Sequence, residues 1–519
     1  MKASARARFA AALLWDIPRN VMIFAVPCYI PKILIEGQKK MKKILFVGAE
    51  AMPFAATGGL GDVMGSLPTA LAESGDADVR VVLPLYAAVS KEWREQMKNE
   101  AVFYVRLAWR EQYCGVFSLK HAGVTYYFID NEYYFNRPTL YGQYDDGERY
   151  AYFCMATLEL MTRLDFFPDI LHAHDWQAAL SVVYLNCIYR QRKGYERIRT
   201  VFTIHNIEYQ GKYDFAILGD VFALGENEHS LMEHDGCINL MKAAIQCADC
   251  VSTVSPRYAE EIRTDEYAHG LASTLNANAY KLCGILNGID YVYYDPKKDK
   301  VIPANFSVRS MAGKAACKAA LQKEMGLPER ADVPMLSIIS RLAAHKGLDI
   351  IEGSIGRLIQ ENDVQLVVLG KGEARYERFF TDLEARFPDK VRALITYDRD
   401  LSKRIYAATD IFLMPSKSEP CGLSQMIASR YGAIPVVRET GGLFDSIKPF
   451  WMEKKTMHGN GFTFADYSAD VLKRVTENAI ALYHDPELGR KLISKIMRTD
   501  FSWKASAQQY LAMYDGVLS

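Results

Sequence analysis

The sequence predicts an α/β protein made of two doubly wound, Rossmann-like domains that face a deep cleft. Short apolar strands alternate with helical patterns from residue 41 onward, which is typical of parallel sheets with helices on both faces. Polar residues cluster where these strands end, at the edge where open α/β sheets bind ligands. The length of 519 residues is too great for one hydrophobic core and implies more than one domain.

The composition is that of an ordinary globular protein, with 50% hydrophobic residues, 24% charged residues and a formal net charge of zero. Neutrality argues against a nucleic-acid partner, because such proteins normally carry a basic face. The 10 cysteines lack the spacing of a disulfide framework, and the close pair Cys247 and Cys250 is interpreted as buried free thiols. Reduced cysteines predict a cytoplasmic protein.

Residues 1–40 differ from the rest of the chain, with seven basic against two acidic residues. Their apolar runs, 9–15 and 21–30, are far shorter than the ~20 residues that cross a bilayer, so we expect no membrane partner. Two interpretations stay open. The segment is a cleaved export or transit peptide, or it reflects an upstream start codon, since Met41 is a natural chain start directly before the first strand. We favour the second and expect a poorly structured extension.

The first domain is predicted at residues 41–290, and its first strand is the apolar run 44–47. This strand leads into a loop that contains Gly58 and Gly59, and a helical pattern starts near Asp62. A strand, a glycine-rich turn and a helix present backbone N–H groups and a positive helix end to a phosphate. The spacing is neither that of a dinucleotide fingerprint nor that of a P-loop, and a plain tight turn explains the glycines equally well.

The second domain is predicted at residues 291–500, beginning with a hinge segment that carries Pro and Lys, and an amphipathic helix is predicted at 501–519. Strands of both domains end in polar motifs, which places these motifs around a common cleft. Among glycosyltransferases this architecture is called GT-B. Dehydrogenases, periplasmic binding proteins and some kinases also pair two such domains, so the architecture alone does not fix the function.

Eight short motifs follow one another along the chain, at 58–63, 172–176, 202–206, 287–290, 340–349, 419–423, 440–443 and 501–503. In this order they give the chain a specific resemblance to the family of bacterial glycogen synthases and plant starch synthases. The resemblance covers essentially all of residues 41–519. It implies transfer of glucose from ADP-glucose to the 4-hydroxyl at the non-reducing end of an α-1,4-glucan, with retention of configuration, and a last helix that crosses back to the first domain.

Four residues are the candidate catalytic groups. The departing nucleoside diphosphate gains negative charge, so the site needs fixed cations, and Arg341 and Lys346 follow a predicted strand. The resemblance implies that both bind the donor phosphates, that His205 approaches the transferred glucose with its backbone carbonyl near the anomeric carbon, and that Glu419 contacts the glucose hydroxyls. The alternatives are a solvated Arg–Lys pair and a hydrogen-bonded core histidine.

The same motifs imply further residues in substrate binding. Asp62 is expected on the acceptor side, Asp175 is equally typical of a helix cap, and the segment after Glu419 is expected to turn backbone amides towards the sugar or phosphate. The loop at 440–442 is implied to lie near the diphosphate. The set is Thr57, Gly58, Gly59, Asp62, Asp175, Asn206, Cys421, Gly422, Leu423, Thr440, Gly441 and Gly442.

We expect neither a metal nor another cofactor, because no acidic pair follows a strand in the manner of metal ligands. No motif in the sequence identifies a carboxylate nucleophile for a double displacement. The fold family therefore suggests a front-face reaction in which the leaving phosphate helps to deprotonate the acceptor. The expected partners are a nucleotide-sugar donor and an α-1,4-glucan acceptor, either glycogen or a malto-oligosaccharide, and the oligomeric state is left open.

The chain departs from the family at Ala56, where the resemblance implies a lysine associated with the donor phosphates. Either Arg341 and Lys346 supply enough charge and the enzyme works with altered kinetics, or the chain is a non-catalytic or weakly active glucan-binding relative. The presence of His205 and Glu419 favours the first. A phosphorylase-like enzyme of the same architecture is a third hypothesis, but the pyridoxal-binding lysine that it needs is not evident in the sequence.

Overall fold

The structure is a computed structural model that describes residues 41–519, and the expectation of a poorly structured extension at 1–40 lies outside them. The residues up to 290 form a nine-stranded sheet, a small three-stranded sheet and their helices. The strands are β1 (Lys42–Val47), β2 (Ala77–Pro84), β3 (Lys98–Leu107), β4 (Arg110–His121), β5 (Val124–Asp130), β6 (Ile170–His174), β7 (Arg199–Ile204), β8 (Lys212–Tyr213), β9 (Glu233–His234), β10 (Cys237–Asn239), β11 (Cys250–Thr253) and β12 (Leu282–Gly284). The helices are α1 (Gly59–Glu73), α2 (Lys91–Arg94), α3 (Glu132–Phe135), α4 (Asp146–Arg163), α5 (Asp175–Tyr184), α6 (His229–Met232), α7 (Leu240–Cys247), α8 (Pro256–Glu261) and α9 (Ala272–Ala277).

The large sheet is parallel in the order β12-β11-β7-β6-β1-β2-β5, and β4 and β3 extend it as antiparallel strands beyond β5. β1 is central because its residues from Ile44 to Val47 are all apolar and buried, which suits a strand covered on both faces. β1, β6 and β7 are neighbours and run in the same direction. The segments that follow them, which carry the glycine-rich loop, Asp175 and His205, therefore open at one edge of the sheet.

The second half of the chain forms a six-stranded parallel sheet and a two-stranded sheet. The strands are β13 (Met335–Ile339), β14 (Gln365–Leu369), β15 (Val391–Leu394), β16 (Ile411–Met414), β17 (Ile434–Arg438), β18 (Trp451–Glu453), β19 (Thr456–His458) and β20 (Phe462–Phe464). The order in the larger sheet is β15-β14-β13-β16-β17-β20. Since β13 pairs with β16, the segments that follow these two strands lie side by side. The helices are α10 (Ala312–Glu324), α11 (Leu348–Glu361), α12 (Ala374–Arg386), α13 (Arg399–Ala408), α14 (Ser424–Arg430), α15 (Gly441–Ser446), α16 (Ala469–Tyr483) and α17 (Pro486–Arg498).

The last helix, α18 (Trp503–Leu518), packs against the first sheet and its helix α1. The approach begins where the amide of Ile289 donates to the carbonyl of Phe501 at 2.8 Å. Further along, Lys42 Nζ pairs with Asp515 Oδ1 at 2.7 Å, and the Tyr514 hydroxyl lies 2.8 Å from His172 Nδ1. The chain thus crosses from one domain to the other twice. The second crossing places the last helix against the first domain, where Asp515 pairs with Lys42 of β1.

The predicted fold class is confirmed, since both large sheets are built from parallel strands with intervening helices. Helix α1 begins at Gly59, slightly before the predicted start near Asp62. Within residues 41–519, no helix combines the length and the apolar character needed to cross a bilayer.

Candidate active site

The cations of the second domain lie in a loop after β13, here called the cationic loop (residues 340–347). Lys346 Nζ donates to Glu419 Oε2 at 2.6 Å, and the Ser416 hydroxyl donates to the same oxygen at 3.0 Å. Glu419 is only 7% exposed, so its charge is balanced by the ammonium rather than by water. Gly347 has a φ of 72°, and a Cβ there would lie 2.0 Å from the carbonyl oxygen of Pro415. A glycine is therefore required for the cationic loop to approach the loop that carries Glu419.

Arg341 is exposed and points into a cleft of about 300 Å³ between the two domains. Its guanidinium lies 3.5 Å from His345 Nε2. Burial, together with the charges of Lys346 and Arg341, lowers the pKa of His345, so this side of the cleft is cationic without a protonated histidine. The first domain contributes Glu208 and Tyr209 to the lining, and the second contributes Arg341, Leu342, Ala343, His345, Gly372 and Glu373.

On the first domain, His205 follows β7 and is joined to a second histidine. His205 Nε2 lies 2.9 Å from His174 Nδ1, and the ring of His174 packs against that of His172 with 4.1 Å between centroids. His172 in turn bonds to Thr203 at 2.6 Å and to Tyr514 of α18. Burial lowers the pKa of His205 to about 3, so its imidazole is neutral near pH 7. His205 is thus a hydrogen-bonded histidine, and the segment that follows it leads to Glu208 and Tyr209, which line the cleft.

Asp175 opens helix α5 but does not cap it. Asp175 follows β6, and its Oδ1 accepts a hydrogen bond of 2.7 Å from the backbone amide of His205, which follows the neighbouring strand β7. The φ of Asp175 is 57°, which turns the chain between β6 and α5. The helix-cap alternative is therefore wrong, because the carboxylate binds the residue that follows β7 and makes no capping hydrogen bond to its own helix. Burial raises the pKa of Asp175 to about 7, although the amides of His205 and Asn206 act in the opposite direction.

The glycine-rich loop is held by Glu50, a buried residue that sequence reasoning missed. Its carboxylate accepts hydrogen bonds from the Thr57 amide at 2.6 Å, the Thr57 hydroxyl at 2.7 Å, the Gly58 amide at 3.2 Å and the Tyr141 hydroxyl at 2.6 Å. A Cβ at Gly58 or Gly59 would meet nothing within 4 Å, so the opposite side of the loop is open. The signal in the sequence was a carboxylate soon after β1, which hydrophobic patterning cannot distinguish from a surface residue.

Asp62 lies in the first turn of α1 and faces the second domain. Arg399 Nη2 is 3.8 Å from Asp62 Oδ1, and Arg399 Nε donates to the Tyr397 hydroxyl at 3.0 Å. Burial raises the pKa of Asp62, and the charge of Arg399 lowers it. Arg399 is a second residue that sequence reasoning missed, since it comes from the opposite domain.

The predicted binding residues of the second domain differ in their exposure and in their hydrogen-bond partners. Thr440 and Gly441 do not face open space, because both donate hydrogen bonds to Glu261 of the first domain. Cys421 is buried, which raises the pKa of its thiol to about 12, and Gly422 has a φ of 72° that a glycine adopts without strain. Leu423 is partly buried and Gly442 is buried. In the first domain, Asn206 is partly buried, and its side-chain oxygen accepts from the Glu208 amide at 3.0 Å.

Two family models match the chain. The one described as "Starch synthase catalytic domain" matches residues 43–277, and the one described as "Glycosyl transferases group 1" matches residues 323–497. The glycogen synthase of Ligilactobacillus salivarius is 46% identical over 91% of this chain and 99% of its own length. That of Bacillus subtilis is 45% identical over 92% of this chain and 98% of its own.

The chain belongs to the glycogen synthase family. Among solved structures, the catalytic domain of starch synthase IV from Arabidopsis thaliana, bound to ADP and acarbose, matches with a TM-score of 0.84 and 36% identity over 92% of this chain and 99% of that one. A sucrose-phosphate synthase from Thermosynechococcus elongatus, at 17% identity and a TM-score of 0.58, shares the fold alone. The resemblance and the glycosyltransferase class are confirmed, and the comparisons lend no support to the non-catalytic alternative.

Ala56, where the chain departs from the glycogen synthase motif, packs against the start of helix α1. Ala56 packs so closely on α1 that a Cβ at Gly61 would lie 2.3 Å from the Ala56 Cβ and 3.3 Å from Glu50 Oε2. Position 56 is thus next to the buried carboxylate that holds the loop. On the side of the second domain, the guanidinium of Arg399 reaches the same helix start through Asp62.

We expect Asp175→Asn to change the pH dependence of stability. The folded pKa of about 7 lies above the unfolded value of 3.8, so the folded state binds an extra proton between about pH 4 and pH 7, and stability falls as pH rises through that window. Asparagine cannot ionise and tolerates a positive φ. The melting temperature of the variant, relative to the unchanged protein, should therefore be higher at pH 8 than at pH 5, by about 1–3 °C. A difference that is the same at both pH values would contradict the raised pKa.

Proposed function

We propose that this chain transfers glucose from ADP-glucose to the 4-hydroxyl at the non-reducing end of an α-1,4-glucan, with retention of configuration and without a metal or other cofactor, in the cytoplasm. The observation that carries the proposal is the partly buried Lys346–Glu419 pair, 2.6 Å apart, next in sequence to His345 of a cleft that Arg341 also lines. The starch synthase IV domain with 36% identity was solved with ADP and acarbose, which supports an adenine nucleotide and a glucan-like acceptor.

The donor side provides what the reaction requires electrostatically. As the glycosidic C–O bond breaks, charge accumulates on the departing diphosphate, and the fixed cations Arg341 and Lys346 stabilise it. Arg341 is free to make a bidentate contact, and Lys346 acts as a point charge whose position is set by Glu419. The neutral imidazole of His205 adds no positive charge against the oxocarbenium-like sugar.

Two carboxylates of the candidate site, Glu419 and Asp175, are already held by donors. Glu419 binds Lys346 and Ser416, and Asp175 binds the His205 amide. A nucleophilic role would require one of these groups to release its partners and reach the anomeric carbon. We therefore favour a front-face reaction, in which the acceptor hydroxyl attacks on the side of the leaving diphosphate and transfers its proton to a phosphate oxygen.

The proposal is tested by incubating the full chain with a malto-oligosaccharide and either ADP-glucose or UDP-glucose, and by measuring nucleoside diphosphate release and product length. We expect release from ADP-glucose to be faster, with products that an α-1,4-specific glucosidase degrades completely. Binding to glycogen without release from either donor would establish the non-catalytic alternative. Faster release from UDP-glucose would retain the reaction class and overturn the donor assignment.

Ala56→Lys should lower the KM for ADP-glucose by about three- to tenfold, or raise kcat by a similar factor. The new ammonium adds a cation beside the glycine-rich loop, close to the Glu50 carboxylate that accepts from the Thr57 and Gly58 amides. Steady-state kinetics at saturating glucan measure both parameters. Ala56→Met has similar bulk without the charge and serves as the control. Unchanged kinetics in the lysine variant would show that the cations of the second domain suffice.

A further inference from the structure

A buried carboxylate of the first domain binds the second domain directly. Glu261, the last residue of α8, is 6% exposed. Both of its oxygens lie 3.0 Å from the backbone amide nitrogen of Gly441 and 3.2 Å from the Thr440 hydroxyl. These donors precede or begin helix α15 of the other domain, and Thr440 is fully buried. The contact joins residues 180 apart in sequence.

The segment that Glu261 holds is packed on the backbone of Glu419. The Gly442 amide lies 3.1 Å from the Glu419 carbonyl oxygen. A Cβ at Gly441 would lie 2.0 Å from that same oxygen, and a Cβ at Gly442 would lie 2.0 Å from the carbonyl oxygen of Cys421. Because the two backbones touch without intervening side chains, a displacement of the loop at 440–442 is transmitted to Glu419.

The surroundings make this contact specific. Arg257, on the same helix α8, pairs through Nε with Glu261 Oε1 at 3.3 Å, and its amide donates to Asp445 Oδ2 at 2.8 Å. The Arg257 guanidinium also lies over the Phe444 ring, 5.3 Å from its centroid. Helices α8 and α15 therefore meet across the domain boundary with the Glu261 carboxylate buried between them. Truncating this side chain would leave buried donors of the second domain without partners.

We propose that Glu261 is a positioning residue for the donor site. Through Thr440 and Gly441 it fixes the backbone of Glu419, and thereby the distance between the Glu419 carboxylate and Lys346. A carboxylate of the first domain thus sets the position of Glu419 in the second domain. The inference rests on the proposed function, since it assigns Glu261 to the site that holds the transferred glucose.

The test compares Glu261→Ala, Glu261→Gln and Glu261→Asp with Glu260→Ala as matched control. Glu260 lies on the same turn, and its side chain is 69% exposed in a pair with Arg257. Rates of nucleoside diphosphate release from ADP-glucose at saturating glucan give kcat and KM, at a temperature where circular dichroism shows each variant folded. The unchanged enzyme must release nucleotide first, which separates failure of this inference from failure of the proposed function.

We expect Glu261→Ala to lower kcat at least tenfold while the KM for ADP-glucose stays within threefold, because Arg341 and Lys346 remain. Glu261→Gln keeps the length and one acceptor oxygen, and should restore kcat to within fivefold. Glu260→Ala should remain within twofold. If Glu261→Ala does not fold, Glu261→Asp, too short to reach both donors, should lower kcat at least fivefold. Unchanged kcat in the folded variants, a loss equal to that of the control, or a change confined to KM would overturn the proposal.

Discussion

Lys346→Ala is expected to lower kcat with ADP-glucose by about 100- to 1000-fold, the range seen when one preorganised group is removed from a site of developing charge. The ammonium lies 2.6 Å from Glu419 Oε2, and the two side chains are 17% and 9% exposed. Its removal takes a fixed cation from the leaving diphosphate and leaves a nearly buried carboxylate without its counter-ion. Breaking a fully buried pair in this way costs about 3–5 kcal/mol, which is an upper bound for this partly buried pair. Both effects act against turnover, and nucleotide release measures them.

The control for this experiment is Lys491→Ala, which removes an exposed lysine from a surface pair with Glu487 and should change kcat less than twofold. Lys346→Arg keeps the charge but not the shape of the group, so we expect an intermediate loss. Thermal melting of each variant separates a catalytic loss from unfolding. A Lys346→Ala enzyme that retains more than a tenth of the original kcat would contradict the role given to this residue.

Much of the donor site follows from patterns that are local in sequence. Apolar strands with polar ends predict which side chains open at one edge of a parallel sheet, and β13 and β16 are such neighbours. The strand ends alone did not pair Lys346 with Glu419, 73 residues away. The family resemblance implied that both belong to the donor site, and their contact of 2.6 Å agrees with that implication. The fold class follows from the same alternation, because a buried parallel sheet needs near-continuous apolar strands.

The residues that sequence reasoning missed act through contacts between distant segments. Glu50 bonds to Tyr141, 91 residues away, and Glu261 bonds to Gly441 across the domain boundary. Arg399 reaches Asp62 from the other domain. In the sequence, a buried glutamate with several hydrogen-bond donors looks the same as an exposed one. Its partners depend on how two loops or two domains pack together. Hydrophobic periodicity carries no information on that arrangement.

His205→Ala is expected to lower kcat about 100-fold or more. The imidazole anchors the segment whose backbone carbonyl is proposed to face the anomeric carbon, and its Nε2 lies 2.9 Å from His174 Nδ1. Within residues 41–519, His174 Nε2 has no hydrogen-bond partner, so the variant would leave both nitrogens of this buried ring unpaired. An unsatisfied buried polar group costs about 1–3 kcal/mol. The main chain at 205 would keep the hydrogen bond from its amide to Asp175 but lose the anchor of the side chain.

The pH dependence of this loss distinguishes positioning from proton transfer. With a pKa of about 3, His205 is neutral at pH 6 and at pH 8. The kcat of the variant divided by the kcat of the unsubstituted enzyme should therefore be the same at both pH values. His229→Ala, at an exposed histidine stacked on Phe215, is the control and should leave kcat within twofold. His205→Gln keeps a polar group towards His174 and should recover part of the loss. A ratio that changes more than threefold between the two pH values, and does so again in an Asp175→Asn background, would mean that His205 carries a titrating proton in the reaction. The second background is needed because Asp175, which binds the His205 amide, has a pKa of about 7 and itself titrates in this range.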